Sequence, residues 1–440
     1  MRGPDEGRNR SFDHRRTSRR QFLLAAGLGG AVVASGCSKP FLSESGRERS
    51  DGNPEAPEAA PGNGSGERGS PPEVSTSTER NTAQTIEPPT TRSGAYLSGV
   101  YNGGHPSDLS GIDEWLGHNP AVAVFFVDAL TGTSWIETVV DTHLTRLWNQ
   151  GHVPMLIWQP YVSPREQTPE DIESQIIDGA FDDTIETWAT NLASWVKGGS
   201  NRELRRRLYF VPAHEMNGDW NPWSSASSAN RGMQTSRSEN PADYVVMWRR
   251  IHRIFDTTPL DERTIQWVWT PNADETSGVQ TERFYPGDEY VDWIGLNGYN
   301  YGEINNDSRW RTPEDRFGTM VQRMKRLSDK PLALPEVSST SYVNGTFRPS
   351  RKAEWIERLF SFADDEDIKM VSWYNFDNTG EWESDWAIFG GKHGTSSTQV
   401  AGESYRVYDE YKRQVERQST LNSRTDYSQL LTDDEFAGRF

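Results

Sequence analysis

Residues 207–223 read R-L-Y-F-V-P-A-H-E-M-N-G-D-W-N-P-W, a short apolar run that passes abruptly into polar and aromatic residues. The run 207–213 has the length and the apolar content of a buried strand. His214 and Glu215 follow it directly. In parallel α/β folds, ligands bind at the carboxyl ends of the strands. This stretch therefore predicts one strand of a parallel sheet and a candidate catalytic carboxyl group.

Further apolar runs of the same kind alternate with longer amphipathic patterns along the chain. The predicted strands are 95–101, 121–127, 154–158, 207–213, 264–270, 291–296, 331–336 and 369–374. The clearest predicted helices are 182–196, 242–255, 312–327 and 351–363. Eight strand–helix units predict an α/β fold of the (β/α)8 TIM barrel type. A doubly wound open sheet is the alternative, although no glycine-rich phosphate loop follows the first strand.

A second carboxyl group, Glu336, ends the seventh predicted strand. A single glutamate at a strand end is more often an ion-pair partner than a catalytic group. Two glutamates on strands four and seven, flanked by histidine and aromatic residues, favour catalysis. Retaining hydrolysis of a glycosidic bond needs two carboxyl groups roughly 5–5.5 Å apart, one protonated and one ionised. The sequence therefore predicts Glu215 and Glu336 as a catalytic pair.

The stretch 214–223 resembles the acid/base motif of glycoside hydrolase family 26, which contains β-mannanases and some mixed-linkage glucanases. Other stretches are similar to the same family, namely 177–189, 285–300, 331–336 and 371–386. The resemblance extends from about residue 95 to residue 410. It implies a (β/α)8 barrel and a retaining double displacement. In that mechanism Glu215 is the acid/base and Glu336 is the nucleophile.

The resemblance also implies roles for residues around the two glutamates. His214 would line the central sugar site, and Tyr299 would donate a hydrogen bond to the nucleophile. Trp373 would be the platform under the scissile sugar, and Trp220 would stack on the leaving-group side. Substrate contact and scaffold packing are both open for three further residues: Asn217, Trp223 and Trp158.

The amino-terminal region has the pattern of an export signal. Residues 18–24 read S-R-R-Q-F-L-L and lead into a short Gly- and Ala-rich apolar stretch, which resembles a twin-arginine signal. The stretch 34–37 reads A-S-G-C and resembles a lipobox that ends at Cys37, the single cysteine of the chain. We therefore expect a signal over 1–36 and lipidation of Cys37. The protein would be anchored at the cell surface, or secreted if Cys37 is not lipidated.

The composition divides the rest of the chain. Residues 37–92 are rich in Pro, Gly, Ser and Glu, which predicts a disordered tether. The barrel is expected over 93–412, with a Ser-rich segment at 224–240 beside its active-site face, and a polar tail over 413–440. No apolar run of about 18 or more residues follows Cys37, so the lipid is the only membrane attachment predicted.

Charge and residue counts exclude several classes of function. The net charge of −18 argues against a nucleic-acid partner. A single cysteine and 8 histidines without cluster spacing predict neither a metal site nor a cofactor. No Gly-x-Ser-x-Gly motif supports a serine hydrolase. Nothing in the sequence requires more than a monomer.

The leading hypothesis is an endo-β-glycanase whose partner is a β-linked polysaccharide, with β-1,4-mannan first and mixed-linkage β-glucan or xylan second. A transglycosylase would use the same residues. A non-catalytic surface protein that binds carbohydrate is the alternative from another class. The presence of both glutamates together with His214 and Tyr299 favours the enzyme, because a binding protein needs aromatic platforms but no matched acid and nucleophile.

Overall fold

The computed structural model describes residues 94–198, 206–224, 241–276, 278–304, 308–379 and 384–440. The expected export signal, Cys37 and the tether lie outside the described residues, as does all but the first residue of the segment 224–240. These expectations stay predictions. Within the described part of the chain, no helix has both the length and the apolar character needed to cross a bilayer.

Seventeen strands and ten α-helices are found in the described residues. The strands are β1 (Tyr96–Asn102), β2 (Val122–Leu130), β3 (Val153–Val162), β4 (Leu208–Pro212), β5 (Ile265–Trp269), β6 (Trp293–Gly295), β7 (Gly298–Asn300), β8 (Leu332–Ser339), β9 (Tyr342–Val343), β10 (Thr346–Phe347), β11 (Ile368–Asn375), β12 (Asp377–Asn378), β13 (Ser384–Asp385), β14 (Phe389–Gly391), β15 (Ser396–Val400), β16 (Glu403–Val407) and β17 (Thr420–Leu421).

The helices cover the outside of the sheet and its loops. They are α1 (Ser110–Leu116), α2 (Thr133–Thr138), α3 (Thr145–Asn149), α4 (Ile172–Ile177), α5 (Asp182–Val196), α6 (Pro241–Phe255), α7 (Pro313–Leu327), α8 (Pro349–Asp365), α9 (Asp409–Val415) and α10 (Asp433–Phe436). A π-helical turn, Val139–Leu144, joins α2 to α3. Short 3₁₀ turns occur at Arg165–Gln167 and Thr281–Phe284.

The main sheet closes on itself. Its parallel strands follow the order β11-β1-β2-β3-β4-β5-β6-β8, and β11 pairs with β8 as well as with β1. The strands β6 and β7 both pair with β8, so they form one barrel position interrupted at residues 296 and 297. This confirms the (β/α)8 barrel and excludes the open sheet. All eight predicted strands are present, and the four predicted helices agree within two residues at each end.

Side chains of the barrel strands alternate between two buried layers, as a pleated strand requires. On β11, Met370 and Tyr374 lie in the cluster inside the barrel. Val371 and Trp373 lie in the cluster between the barrel and its helices. Both layers are fully buried, so hydropathy alone does not distinguish them.

Residues 413–440 are part of the barrel domain and are not a separate polar tail. β17 pairs with β1, and Thr432 begins α10 with a capping box. Phe436 is fully buried against Tyr209, with 4.8 Å between the ring centroids. Since Tyr209 lies near the start of β4, this segment covers the end of the barrel opposite to the carboxyl ends of the strands. The segment appears polar because only a few apolar residues carry the packing.

We expect Phe436→Ala to lower the free energy of unfolding by ~3–5 kcal/mol, because the substitution leaves a cavity beneath Tyr209. Thermal unfolding measures the effect. Val246→Ala, at an exposed site on α6, should change stability by less than ~0.5 kcal/mol. Equal stability of the Phe436→Ala variant and the parent would show that the carboxyl-terminal segment does not support the barrel.

Candidate active site

Glu215 lies on a strained turn immediately after β4. Ala213 and Glu215 both have positive φ, 47° and 57°. Residues other than glycine adopt this conformation at a cost, and such strained residues are enriched at functional sites. The Glu215 N–H donates to the carbonyl of Thr270 at 2.7 Å, which ties the turn to the residue after β5. The side chain is buried, with the whole residue 3% exposed.

Both carboxylate oxygens of Glu215 accept a hydrogen bond. The indole Nε1 of Trp220 donates to Oε2 at 2.7 Å, and Nδ2 of Asn272 donates to Oε1 at 2.8 Å. A Cβ on Gly218 would lie 2.5 Å from the Trp220 ring, so the glycine of the motif makes room for the indole. Trp220, expected to stack on a sugar, therefore orients Glu215 directly.

Glu336 is held in the same way on β8. The Tyr299 hydroxyl donates to Oε1, and Nδ2 of Asn297 donates to Oε2 at 3.1 Å. Glu336 is buried, with 7% of the residue exposed. The structure therefore places Tyr299 beside Glu336, where the family resemblance implied it would be.

The two glutamates interact electrostatically. Burial, and next the nearby charge of Glu215, raise the pKa of Glu336 well above its usual range. Two carboxyl groups that share a buried site resist simultaneous ionisation, so the pair tends to keep one proton. The four donors stabilise the negative charge that remains. One proton and one charge are what an acid and a nucleophile require together.

Two asparagines that the sequence analysis missed connect the glutamates. Asn272 follows β5, and Asn297 lies between β6 and β7; they form a parallel bridge in which the Ala273 N–H donates to the Asn297 carbonyl at 2.8 Å. Because these barrel positions lie between β4 and β8, the chain of contacts runs from Glu215 to Glu336. The sequence feature that could have identified them is their position, because Asn272 follows predicted strand five and Asn297 follows predicted strand six.

His214 is buried beside Glu215 and in edge contact with Phe126, at 6.0 Å between ring centroids. Burial lowers the pKa of His214, so the ring is neutral near pH 7. Its Nδ1 has no hydrogen-bond partner among the described residues, and the same is true of Oδ1 of Asn297. Buried polar atoms are normally paired, so these two are candidates for ligand contacts.

The three residues left open by sequence are scaffold residues in the structure. Trp223 is fully buried and donates from Nε1 to the His214 carbonyl at 2.8 Å. The Asn217 side chain exchanges two hydrogen bonds of 2.8 Å with the backbone of Asn272. Trp158 is fully buried and packs on Phe210, outside the barrel interior.

The expectation that Trp373 forms the sugar platform is wrong. Its ring packs between Trp355 and Tyr411, with centroids 6.0 and 5.9 Å away, and is fully buried. Its Nε1 donates to the carbonyl of Trp386 at 2.8 Å. Trp373 points towards the helices because neighbouring residues of a strand face opposite sides. The neighbouring residue, Tyr374, faces the barrel interior instead.

An aromatic wall surrounds Glu336. Tyr374 stacks on Tyr101 at 4.7 Å and meets Tyr299 edge-on at 5.6 Å. Phe126 packs on Tyr101 at 4.9 Å, and Trp386 packs on Tyr299 at 5.1 Å. Rings in such contact lock one another, so the hydroxyl that holds Glu336 is rigidly placed.

Residues 133–318 match the model of glycosyl hydrolase family 26. This covers the turn of Glu215 and the partners Trp220, Asn272, Asn297 and Tyr299. The chain belongs to glycosyl hydrolase family 26.

Two relatives are similar to this chain in sequence, and one solved structure is similar to it in fold. Endoglucanase H of Acetivibrio thermocellus is 26% identical over 290 residues, covering 64% of this chain and 28% of that protein. A mannan endo-1,4-beta-mannosidase of Bacillus subtilis is 28% identical over 228 residues, covering 46% and 58%. The chain thus spans less than two thirds of these relatives. The catalytic domain of an endo-beta-1,4-mannanase from Bacillus sp. JAMB-750 shares the fold, with a TM-score of 0.53 at 18% identity over 75% of this chain and 88% of that one.

This family 26 barrel has an open cavity of about 560 Å³ beside the aromatic wall. It begins one residue beyond the Tyr101–Tyr374 pair, at the paired residues Asn102 and Asn375. Phe376 and Phe389 also line it. In the barrel order β11 lies opposite β4, so the cavity lies across the mouth from Glu215. Among the described residues, no group of three His, Cys, Asp or Glu side chains is arranged to hold a metal ion.

The raised pKa of Glu336 predicts how a neutral replacement affects stability. Between the pKa of the unfolded chain and the raised folded value, the folded protein binds the additional proton, so its stability falls as pH rises through this window. Glutamine does not titrate. The melting temperature of Glu336→Gln minus that of the parent should therefore increase as pH rises above about 4.3. A difference that is constant between pH 4 and 8 would contradict the raised pKa.

Proposed function

We propose that this family 26 protein is a retaining endo-β-glycanase that hydrolyses β-1,4-mannan-type polysaccharide. The observation that carries the proposal is the buried pair Glu215 and Glu336, in which each carboxylate is held by two donors. Burial, and next the charge of Glu215, raise the pKa of Glu336, so the pair as a unit tends to keep one proton.

In the first step, Glu215 would donate its proton to the leaving glycosidic oxygen while the Glu336 carboxylate attacks the anomeric carbon and forms a glycosyl ester. In the second step, Glu215 takes a proton from water, the water oxygen attacks the anomeric carbon, and Glu336 leaves as a carboxylate. Tyr299 and Asn297 keep the nucleophile in place during both steps.

A sugar fits the surroundings of this pair. Phe126, the partly exposed ring of the aromatic wall, offers an apolar face, and sugar rings have apolar faces that pack on aromatic rings. His214 Nδ1 and Asn297 Oδ1 offer polar atoms with no partner among the described residues. Neutral His214 adds no charge, which suits an uncharged ligand rich in hydroxyl groups.

The cavity beyond Tyr374 supports action on a chain rather than on a single sugar. Its volume of about 560 Å³ falls within the ~300–1,000 Å³ of ligand pockets. It lies at the carboxyl end of β11, the strand next to β8 of Glu336, so we infer that sugar units of the glycone extend towards it. This arrangement favours endo action.

The choice of mannan rests on the family resemblance and on the Bacillus relative, which is described as a mannan endo-1,4-beta-mannosidase. Mixed-linkage glucan is the second candidate, because another relative is described as an endoglucanase. The sequence further supports the proposal that the protein is exported and lipidated at Cys37, so that it meets polysaccharide outside the cell.

Substituting each glutamate tests the mechanism. Glu336→Ala should abolish turnover of every substrate. Glu215→Ala should lower turnover of polysaccharide by ~10²–10⁴-fold, and cleavage of aryl glycosides with good leaving groups by much less, because these need no protonation to depart. Sugar release and aryl release measure the two reactions. Glu354→Ala, at an exposed site on α8, is the control. Equal losses by Glu215→Ala on both substrates would refute its role as the acid.

Reducing-sugar release from mannan, glucomannan, mixed-linkage glucan and xylan identifies the substrate class, with Glu336→Ala as the blank. Release from mannan and glucomannan is expected. Release from mixed-linkage glucan alone would replace mannan by the second candidate. No release from any of the four by the folded protein would favour carbohydrate binding without catalysis.

Shortening one cavity side chain tests endo action. Phe376→Ala should lower kcat/KM for a hexasaccharide by up to ~10-fold, the value of one aromatic contact, and leave the shortest cleaved substrate unaffected. Phe347→Ala, a ring that stacks on His393 outside the cavity, is the matched control. A loss by Phe376→Ala that is the same at every chain length would argue against glycone binding in the cavity.

A further inference from the structure

A buried arginine on α7, Arg316, is connected to Glu215 through one intervening side chain, that of Asn272. The Arg316 side chain is 1% exposed and forms an ion pair with Asp274. Its Nη2 also donates to Oδ1 of Asn272 at 3.3 Å. A buried cation is costly unless it is paired, and Asp274 provides a paired charge. The contact with Asn272 is additional to this ion pair, and it links the arginine to the site of Glu215.

The barrel wall accommodates this side chain at a glycine. A Cβ on Gly298, in β7, would lie 2.9 Å from Nε of Arg316 and 2.6 Å from the Phe317 ring. Any other residue at 298 would displace the start of α7 or its arginine. The Gly-Tyr-Asn stretch of β7 thus positions Tyr299 at Glu336 and leaves space for Arg316.

Arg316 determines which end of the Asn272 amide meets Glu215. Oδ1 of Asn272 accepts from Arg316 and from the Asp274 N–H, the latter at 2.9 Å. With the oxygen facing two donors, the Nδ2 group faces the Glu215 carboxylate and donates to it at 2.8 Å. A rotated amide would present an oxygen to the carboxylate and repel it.

We propose that Arg316 is a positioning residue for Glu215 and acts through Asn272. The proposal rests on the proposed function, since it concerns Glu215 as the acid/base. Arg316 contacts the Asn272 amide, and that amide in turn contacts Glu215. It keeps a donor on Oε1 while Trp220 keeps one on Oε2, so the carboxyl group holds a single orientation through both proton transfers.

Two arginines on the same aspartate provide a matched pair of variants. Arg311 donates to Oδ1 of Asp274 at 2.9 Å, and its side chain has no hydrogen bond with Asn272. Arg316→Lys keeps the charge opposite Asp274 but loses the guanidinium fork that reaches both partners. We expect kcat on polysaccharide to fall by ~10–100-fold with little change in KM, because misplaced catalytic groups cost up to ~10²-fold. Arg311→Lys should stay within about twofold of the parent.

Comparing substrates with poor and good leaving groups distinguishes a positioning role of Arg316 from a general loss of structure in the variant. If Arg316 acts on protonation by Glu215, the loss in Arg316→Lys is smaller for aryl glycosides with good leaving groups. Asn272→Ala removes the same donor, keeps both residues of the ion pair, and should show the same selectivity. In the double variant Arg316→Lys/Asn272→Ala, the losses in kcat should not add, because both substitutions remove the same interaction with Glu215.

Melting curves of the full-length variants establish that each is folded at the assay temperature. Additive losses in the double variant, equal behaviour of Arg316→Lys and Arg311→Lys, or equal losses on both substrate types would each overturn the inference while the proposed function stands. A folded parent that releases sugar from none of the four polymers would overturn the proposed function and the inference with it.

Discussion

Two carboxyl groups share one buried site, and the need to keep them there constrains much of the barrel. Burial and mutual repulsion make a second negative charge costly, as the raised pKa of Glu336 shows. Each carboxylate is therefore met by two donors: Trp220 and Asn272 on Glu215, Tyr299 and Asn297 on Glu336. Trp220 follows the same strand as Glu215, whereas the other three donors come from neighbouring positions of the closed sheet, which holds these strand ends together.

The connection between the two halves of the site is made by backbone as well as by side chains. Asn272 and Asn297 are bridge partners on neighbouring strand ends, so a shift of one glutamate's donor would move the donor of the other. Asn217 and Arg316 then fix Asn272 from two sides, its backbone and its amide oxygen. The position of Glu215 thus depends on residues that act through a neighbouring side chain, which is common where a site must be preorganised.

The structure brings the two predicted glutamates together in one buried site, whereas it places some of their predicted neighbours elsewhere. The glutamates stand out because they lie at the ends of predicted strands four and seven, and because His214 and Trp220 lie near Glu215 in the chain. Trp373 was assigned to the sugar site and Tyr374 was not, because both layers of a barrel strand are apolar and the choice of face depends on registry with the helices. Trp220 was placed near the acid, but its hydrogen bond to Glu215 depends on a turn whose backbone is strained.

By itself, the sequence determined the eight strands, four of the helices, the barrel class and the two carboxyl groups, because these follow from local periodicity and from polar residues at strand ends. The tertiary structure alone decided which aromatic side chains face the barrel interior, how residues 413–440 cover its far end, and that Asn272, Asn297 and Arg316 converge on the glutamates. These contacts join residues far apart in the chain, such as Arg316 and Asn272, separated by 44 positions. Their partners become neighbours only when the barrel closes.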